Sequence, residues 1–502
     1  MFFGIDLGTT YSVIARVDEK GIPEVITNRE GKRLTPSVLM VKPEHGFVVG
    51  EVAKDSSIIN GKNTISSAKD YMGTVKKFTT DEVVLTPEEV SGLILKKLCS
   101  DAEQYCGCTV KDVVLTIPAY FTDAQRKATL DSAHIAGIEV TKMINEPTAA
   151  ALYYAYTKKV DGALVLIYDL GGGTFDATIA LIENKSITVK STSGIRKIGG
   201  RFFDQLIVDY VSEYLLEKYD LDLYDEENID DFQELYIKAE NCKTKLSTVT
   251  EASIAIKIGK VKDNIIITRT IFERLIEKFY LRTESSVRIA LQDAGLSFND
   301  LDKVLLVGGS SRIPFIMRKL RELTGLEPNV EVNPDEAVAM GAAIFAYLES
   351  GFVLPTQIEN ITDVCSHSLG IVTVDATTKK RVNSIIIERN TVIPAHNKKE
   401  FKTAVNNMRS IHLEVTEGED EDIEYVNIIA EFDIELPPDL QKFTPVNVEM
   451  VLDENQVLHI FASKEGENSF YKECHLNRNS NMEDVDIQLK ASLISEMKIE
   501  AF

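Results

Sequence analysis

The sequence predicts an α/β domain over residues 1 to about 350 followed by a separate all-β domain. Short apolar runs alternate with helical periodicity through the first part, and two of its segments read as copies of one strand-turn-strand device. After Pro355 the pattern changes to period-two alternation with turn residues between the runs. A chain of 502 residues is too long for one hydrophobic core, and an apolar share of 44% belongs to a globular protein.

The first copy of the device is FFGIDLGTTYSVI at the N-terminus and the second is LVLIYDLGGGTFDATI at 164 to 179. Each has an apolar strand ending in Asp, then Leu-Gly, a small hydroxyl- or glycine-rich turn, and a second strand. Glycine lets the backbone approach closely, so such a turn can set N–H groups and Thr hydroxyls against phosphate oxygens. The strand-end Asp can hold a hydrated magnesium ion. One copy alone is equally a strand and a tight turn; two copies, about 160 residues apart, point to a duplicated lobe with a nucleotide clamped between the halves.

Further strands are predicted at VVLTIPA, 113 to 119, and KVLLVGG, 303 to 309. The latter runs on as VLLVGGSSRIP, which ends a strand and opens a helix, with Arg312 available to stack on a base. Asn333 and Pro334 read as the N-cap and first position of a helix with the body DEAVAMGAAIFAYLE, closed by Gly351. Alternating runs in the β domain include SIHLEVTEG from 410 and NVEMVLDENQVLHIFAS from 447. From about 482 to 502 the sequence predicts one amphipathic helix on Val485, Leu489, Leu493 and Met497.

Lys and Arg total 55 against 78 Asp and Glu, and a net charge of -23 repels phosphate backbones and anionic lipid. No nucleic-acid or membrane partner is expected. There is no basic start, no cleavage site and no apolar stretch long enough to span a bilayer, and the six cysteines show no framework spacing, which predicts a cytoplasmic protein. Cys106 and Cys108 form a CxC with no second pair or nearby His, a poor zinc site that reads better as buried or idle thiols.

IDLGTTYS, AKDYMG, TIPAYFTDAQR, GIEVTKMINEPTAAALYY, DLGGGTFD, VGGSSRIP and NPDEAVAMGAA match, in order, the motifs of the DnaK-type (70-kDa heat-shock) chaperone family over residues 1 to about 350. DVCSHSLGI, IIIERNTVIP and VTEGE continue the match through the β domain, and the chain resembles most the short HscC-like branch. The resemblance implies an α/β actin-like (ribonuclease-H-like) two-lobed ATPase domain at 1–355, an interdomain linker at 356–364, a β-sandwich substrate-binding domain at 365–476, and a tail of one short helix at 477–502 with no long helical lid. It implies an ATP-dependent chaperone using ATP/ADP and Mg2+, binding unfolded or extended polypeptide, with a J-domain co-chaperone.

Position by position, the resemblance has Thr9 and Thr10 with Gly171, Gly172 and Gly173 cradle the phosphates, while Asp6 and Asp169 hold magnesium through water. Lys69 matches the lysine that contacts the γ-phosphate and attacking water; read alone it is equally a solvated lysine. Glu146 and Asp176 match carboxylates near the water and metal, and Thr174 lies close to the γ-phosphate. Gly8, Tyr11, Gly199 and Gly200 join the nucleotide site, as do Gly308, Gly309, Ser310 and Asp335. On the adenosine side, Glu240, Lys243 and Ser247 share one helical face. Thr244 stands where some members carry an arginine that sandwiches adenine, so affinity rests more on Arg312 and the phosphates. Pro118 and Arg126 match the switch pair that joins the two domains, although a proline after a strand is also a simple turn former.

The linker reads IENITD from 358 to 363 and lacks the central leucine run, which predicts weaker or differently tuned signalling. Segments near 75 to 85 and 254 to 270 are short against long family members, which weakens the case for a GrpE-like exchange factor. Phe401, Ala404, Ile411 and Leu413 fall where the family lines a pocket for an extended apolar peptide; as a pattern they are also ordinary inward-facing strand residues. Asn383 replaces an apolar arch residue, and EGEDEDIE at 417 to 424 reads as a solvated loop at the pocket mouth. Two rival functions remain. A sugar-kinase-type phosphotransferase is opposed by NEPTAAA, the Lys69 motif and the β domain, whereas a dedicated regulatory binder of one partner is favoured by the altered linker and short tail.

Overall fold

The two glycine turns fold as the bends of two hairpins. Strand Phe2–Asp6 pairs antiparallel with Tyr11–Val17, and Ala163–Leu170 pairs antiparallel with Thr174–Glu183. Each hairpin heads a sheet of the same plan. Asp112–Ile117 lies parallel to Phe2–Asp6, as Lys303–Val307 lies parallel to Ala163–Leu170. On the other side, Pro23–Val25 and Ser186–Arg196 extend the two hairpins antiparallel. Every residue of Ala163–Leu170 is buried, as befits a strand covered on both faces. These features come from a computed structural model that describes residues 1–43, 46–225, 229–329, 332–352, 358–375, 377–466, 469–474, 482 and 484–496.

Helices Glu146–Lys158 and Ala337–Glu349 fill the space between the sheets. Their alanines and glycines set how closely they pack: a Cβ added at Gly341 would fall 1.8 Å from the carbonyl oxygen of Ala149, and one at Gly4 would fall 2.1 Å from the amide of Ala343. One apolar core therefore includes Val13 and Val114 of the first sheet with Val165 and Ile167 of the second. The start of the second helix corrects the sequence reading. Glu336, not Asn333, is the N-cap, because the carbonyl of Pro334 accepts from Gly308 (3.2 Å) and residues 334–336 form a turn before the helix begins at Ala337. At the other end Gly351, with φ +83°, donates to Leu348 (2.9 Å) and closes the helix.

The segment expected as a linker is built into the second sheet. Asn360–Thr362 pairs parallel with Ser186–Thr188, and Ile358 and Val364 on either side are buried. Two four-stranded antiparallel sheets follow, with strand orders 381–387, 369–374, 410–417, 427–435 and 395–402, 445–452, 458–464, 470–474. Their inner faces share one core that includes Leu413, Val415, Met450 and Ile460.

The C-terminal helix, Asp484–Glu496, overturns the expected packing. Val485, Leu489 and Leu493 are 75%, 57% and 46% exposed, while Ile487 and Ile494 are buried in the core of the first lobe. Lys490 pairs with Glu89 (2.8 Å), and Lys96 donates to the carbonyl oxygens of Ile494 and Ser495. The helix thus packs on the first domain, through Ile487 and Ile494 and not through the stripe of Val485, Leu489 and Leu493. The proposed boundaries at 355 and 476, and Met497, lie outside the described residues. No helix among those described is long and apolar enough to cross a membrane. Cys106 and Cys108 are half-buried, and Cys106 accepts from Arg16 (3.3 Å).

Candidate functional site

The matching hairpin turns face one another across a cleft of ≈ 480 Å³. Gly8, Thr9, Thr10 and Tyr11 line it from the first lobe; Gly171, Gly172 and Thr174 line it from the second, with Gly200. The turns nearly touch. A Cβ at Gly172 would lie 2.2 Å from the Thr10 hydroxyl, and one at Gly199 would lie 2.6 Å from the carbonyl of Gly171, so Gly199 backs the turn from behind. A third wall is Gly308 to Arg312 with Asp335; Gly308 holds φ +76° and a Cβ there would lie 2.5 Å from the Leu170 carbonyl, a position open only to glycine.

Charge concentrates on the floor of this cleft. Buried Lys69 donates to Glu146 Oε1 at 2.7 Å, and Asp6 and Asp169 stand at the strand ends beside them. Burial and the nearby Glu146 push Asp6 up to about 7 and hold Asp169 well above the usual carboxylate range. For Lys69, burial favours the neutral amine, but Glu146 and Asp6 outweigh it and the ammonium is held above its ordinary value. Oδ2 of Asp169 is buried without a hydrogen-bond partner. Asp176 sits beside Asp169 on the paired strand but does not line the cleft: its carboxylate accepts from the amides of Ala119 and Tyr120, both at 3.2 Å.

On the opposite wall Glu240, Lys243, Thr244 and Ser247 line the cleft together. The charged ends are already engaged. Lys243 donates to Asp204 (2.8 Å) and to the Gly200 carbonyl (2.9 Å), Glu240 pairs with Lys54 across the cleft (2.9 Å), and Arg312 pairs with Asp335 (2.8 Å). Lys54 also donates to the Tyr11 hydroxyl (2.9 Å), so one ammonium of the first lobe ties Tyr11 to Glu240 of the second. Sequence reasoning missed Lys54 and Asp204. Neither lies in a recognisable motif, although Asp204 falls four residues after Gly200 on the first turns of helix Gly200–Tyr219.

The turn at 118–121 joins this site to the β-sandwich. Phe121 donates to the Pro118 carbonyl (3.2 Å), and buried Arg126 donates to Ala119 (2.9 Å), Phe121 (3.2 Å) and Asn145 (3.3 Å). Burial pulls its guanidinium down to about 10 against the pull of Asp363 and Glu417. From the sandwich, Ser366 donates to the same Ala119 carbonyl, and the His367 ring lies 4.0 Å from that of Tyr120. Met143 donates to Asn455 (3.0 Å) and Thr192 to Asn390 (3.0 Å).

The acidic run is exposed at Glu419, Asp420, Glu421, Asp422 and Glu424, as expected of a solvated loop, and departs from that reading only at its first residue. Glu417 is buried in the interface and accepts from the amide of Asp123 (3.1 Å), because the positive field of Arg126 and Arg196 draws it in; burial still pushes it up to about 8. Asn383 is buried and fastens this loop, donating to Gly418 (3.1 Å) and Asp420 (3.0 Å) while Thr416 donates to it (2.6 Å). Of the four residues expected at a peptide pocket, Leu413 is buried in the sandwich core, Phe401 and Ile411 are half-buried against it from different sheets, and Ala404 is exposed in the loop after Lys402.

Two sheets of one plan, clasping a buried lysine and a group of carboxylates between paired glycine turns and carrying an appended β-sandwich, define a two-lobed ATPase joined to a β-sandwich domain. A family model described as Hsp70 protein matches residues 2–84 and 74–500, and the chain belongs to the Hsp70 family. Members are chaperone-type ATPases that bind ATP and ADP, typically with Mg2+, and generally bind unfolded polypeptide.

Proposed function

We propose that this chain is an ATP-dependent chaperone of the short HscC-like branch, in which hydrolysis in the cleft regulates the grip of the β-sandwich on extended apolar segments. The observation that carries this reading is a continuous run of contacts. Asp169 neighbours Asp176 across the hairpin, Asp176 accepts from Ala119 and Tyr120, and those two residues meet Ser366 and His367 of the sandwich. A change of charge at the cleft floor is thereby one turn away from the β domain.

Within the cleft, Thr9, Thr10 and the 171–173 turn would receive the phosphates, and Lys69 with Glu146 the terminal phosphate and attacking water. Because Lys69 is held above its ordinary value it stays an ammonium, a fixed charge that stabilises developing negative charge and not a base. The orphaned Asp169 oxygen and the crowding of carboxylates fit a divalent cation. Among the described residues no three His, Cys, Asp or Glu side chains are set to ligate an ion directly, so Asp6 and Asp169 would meet it through water. Magnesium there would offset phosphate charge.

The domain boundaries we assign are 1–355, 356–364, 365–476 and 477–502, with Pro118 and Arg126 as the switch pair and Phe401, Ala404, Ile411 and Leu413 as the peptide contacts. A J-domain co-chaperone and a cytoplasmic setting complete the reading. The short hairpins Phe78–Thr79 with Val84–Leu85 and Glu251–Ile258 with Val261–Thr268 leave little rim for a GrpE-like exchange factor. Single-turnover ATP hydrolysis by the full chain, with and without an unfolded apolar peptide, tests the proposal: peptide should accelerate hydrolysis, and a rate indifferent to saturating peptide would refute the coupling.

A further inference from the structure

We propose that Asp70 and Arg201 form a cross-lobe positioning pair for the ATPase reaction, holding the segment that carries Lys69 against the second phosphate turn. The proposal rests on the ATPase reading of the cleft. Lys69 and Asp70 are consecutive in the 3-10 turn Ala68–Tyr71, which a left-handed Ser67 (φ +57°) bends sharply out of the preceding strand. The bend sends the two side chains to different tasks. Lys69 goes to Glu146, whereas Asp70 reaches both phosphate turns: Thr9 of the first donates to its Oδ1 at 3.4 Å, and a Cβ on Gly173 of the second would lie 2.2 Å from that same oxygen. Its other oxygen, Oδ2, forms an ion pair with Arg201 on the first turn of helix Gly200–Tyr219.

Arg201 does not need Asp70 in order to fold. Its amide donates to Gly172 (3.0 Å), and its carbonyl accepts from Tyr236 (2.9 Å), so its backbone is fastened to the second turn independently. The ion pair therefore adds one thing, a tie from lobe two to the residue after Lys69. It also answers a problem of charge. Asp70 is mostly buried, and burial raises its pKa against the pull of Arg201. Without the guanidinium, an uncompensated carboxylate would stand against both turns that receive the phosphates, and like charges brought together at short range repel strongly.

The two residues should thus fail differently. In Asp70→Asn the tie is cut and the charge left unpaired is the cation of Arg201, which does not repel phosphate, so single-turnover hydrolysis should fall by about tenfold while ATP affinity falls by no more than about threefold. In Arg201→Gln the carboxylate is unmasked, so ATP affinity should fall by about tenfold and hydrolysis should slow as well. The double variant should recover the affinity of Asp70→Asn and hydrolyse no more slowly than it, a non-additivity in rate and affinity that exceeds any in melting temperature, which a merely structural role would not produce. Equilibrium binding of a fluorescent ATP analogue, single-turnover rates and melting temperatures of all four proteins read this out. Effects that multiply in the double variant, or single variants that behave as the parent, would overturn the pair. A folded parent that neither binds nor hydrolyses ATP would instead refute the underlying reading and the proposal with it.

Discussion

Replacing Lys69 by Ala should slow ATP hydrolysis by about a hundredfold or more while nucleotide binding stays within a few-fold, the scale seen when one preorganised electrostatic group is removed (about 2.7–4 kcal/mol). The structure sets the terms. Lys69 Nζ lies 2.7 Å from Glu146, with Asp6 and Asp169 beside them. A pair at that spacing in an effective dielectric near 20 attracts by about 6 kcal/mol gross. The lysine gives up part of that pairing when it turns to a phosphate, so only the difference between two strong contacts reaches the rate. Removing it has a second effect: three carboxylates then face one another with no cation, and breaking a buried pair costs about 3–5 kcal/mol unless a carboxylate takes up a proton. The nucleotide-free variant should therefore lose stability as pH rises from 6 to 8, more steeply than the parent. Single-turnover hydrolysis of preformed ATP complexes, with melting curves at both pH values, measures both. A variant that hydrolyses within about threefold of the parent rate would show that the site does not use Lys69 as an electrostatic group.

Asp169→Asn should leave the nucleotide-free protein folded but remove most of the additional thermal stabilisation that magnesium gives with ADP; an unchanged magnesium dependence would reduce Asp169 to a strand-end residue. Glu417 has a folded value of about 8 against an ordinary 4.5, so the folded state holds its proton more tightly, and its contribution, full below about 4.5, is lost as pH rises through 8. Glu417→Gln cannot titrate and should gain on the parent in melting temperature between pH 5 and 8.5; parallel pH profiles would show that Asp123, Arg126 and Arg196 do not perturb it. Ile494→Asp should release helix Asp484–Glu496 from the first lobe, a loss of about 1.5–3 kcal/mol of local burial, seen as rapid proteolysis of the tail with the domains intact. Since that helix packs on the ATPase domain, peptide release from the sandwich should not change; altered release would place the helix in the peptide site's control.

Local chemistry was legible in the sequence and partnership over distance was not. The two glycine turns announce themselves because a buried strand, a terminal Asp and a tight turn are all written within a dozen residues, and both hairpins formed where the pattern placed them. The helix at Ala337 began later than its Asn-Pro signal because the Pro334 carbonyl is claimed by Gly308, a contact between remote segments. The tail has two apolar stripes, and periodicity cannot choose between Leu489 and Ile487 when the partner surface is unknown. Glu417 looks solvated inside an acidic run until Arg126 is folded up beneath it. Lys54, Asp204 and Arg201 carry no motif, because an ion pair needs only opposite charge at the right place in space.

The connector strand Asn360–Thr362 covers the outer edge of Ser186–Arg196 with parallel hydrogen bonds, and only three residue pairs hold it there. If the connector leaves that edge, the backbone donors and acceptors of 186–188 become an open template on which a strand from another molecule can add. The connector is thus also a guard, and solution conditions that free it from this edge should be the ones in which this protein begins to self-associate.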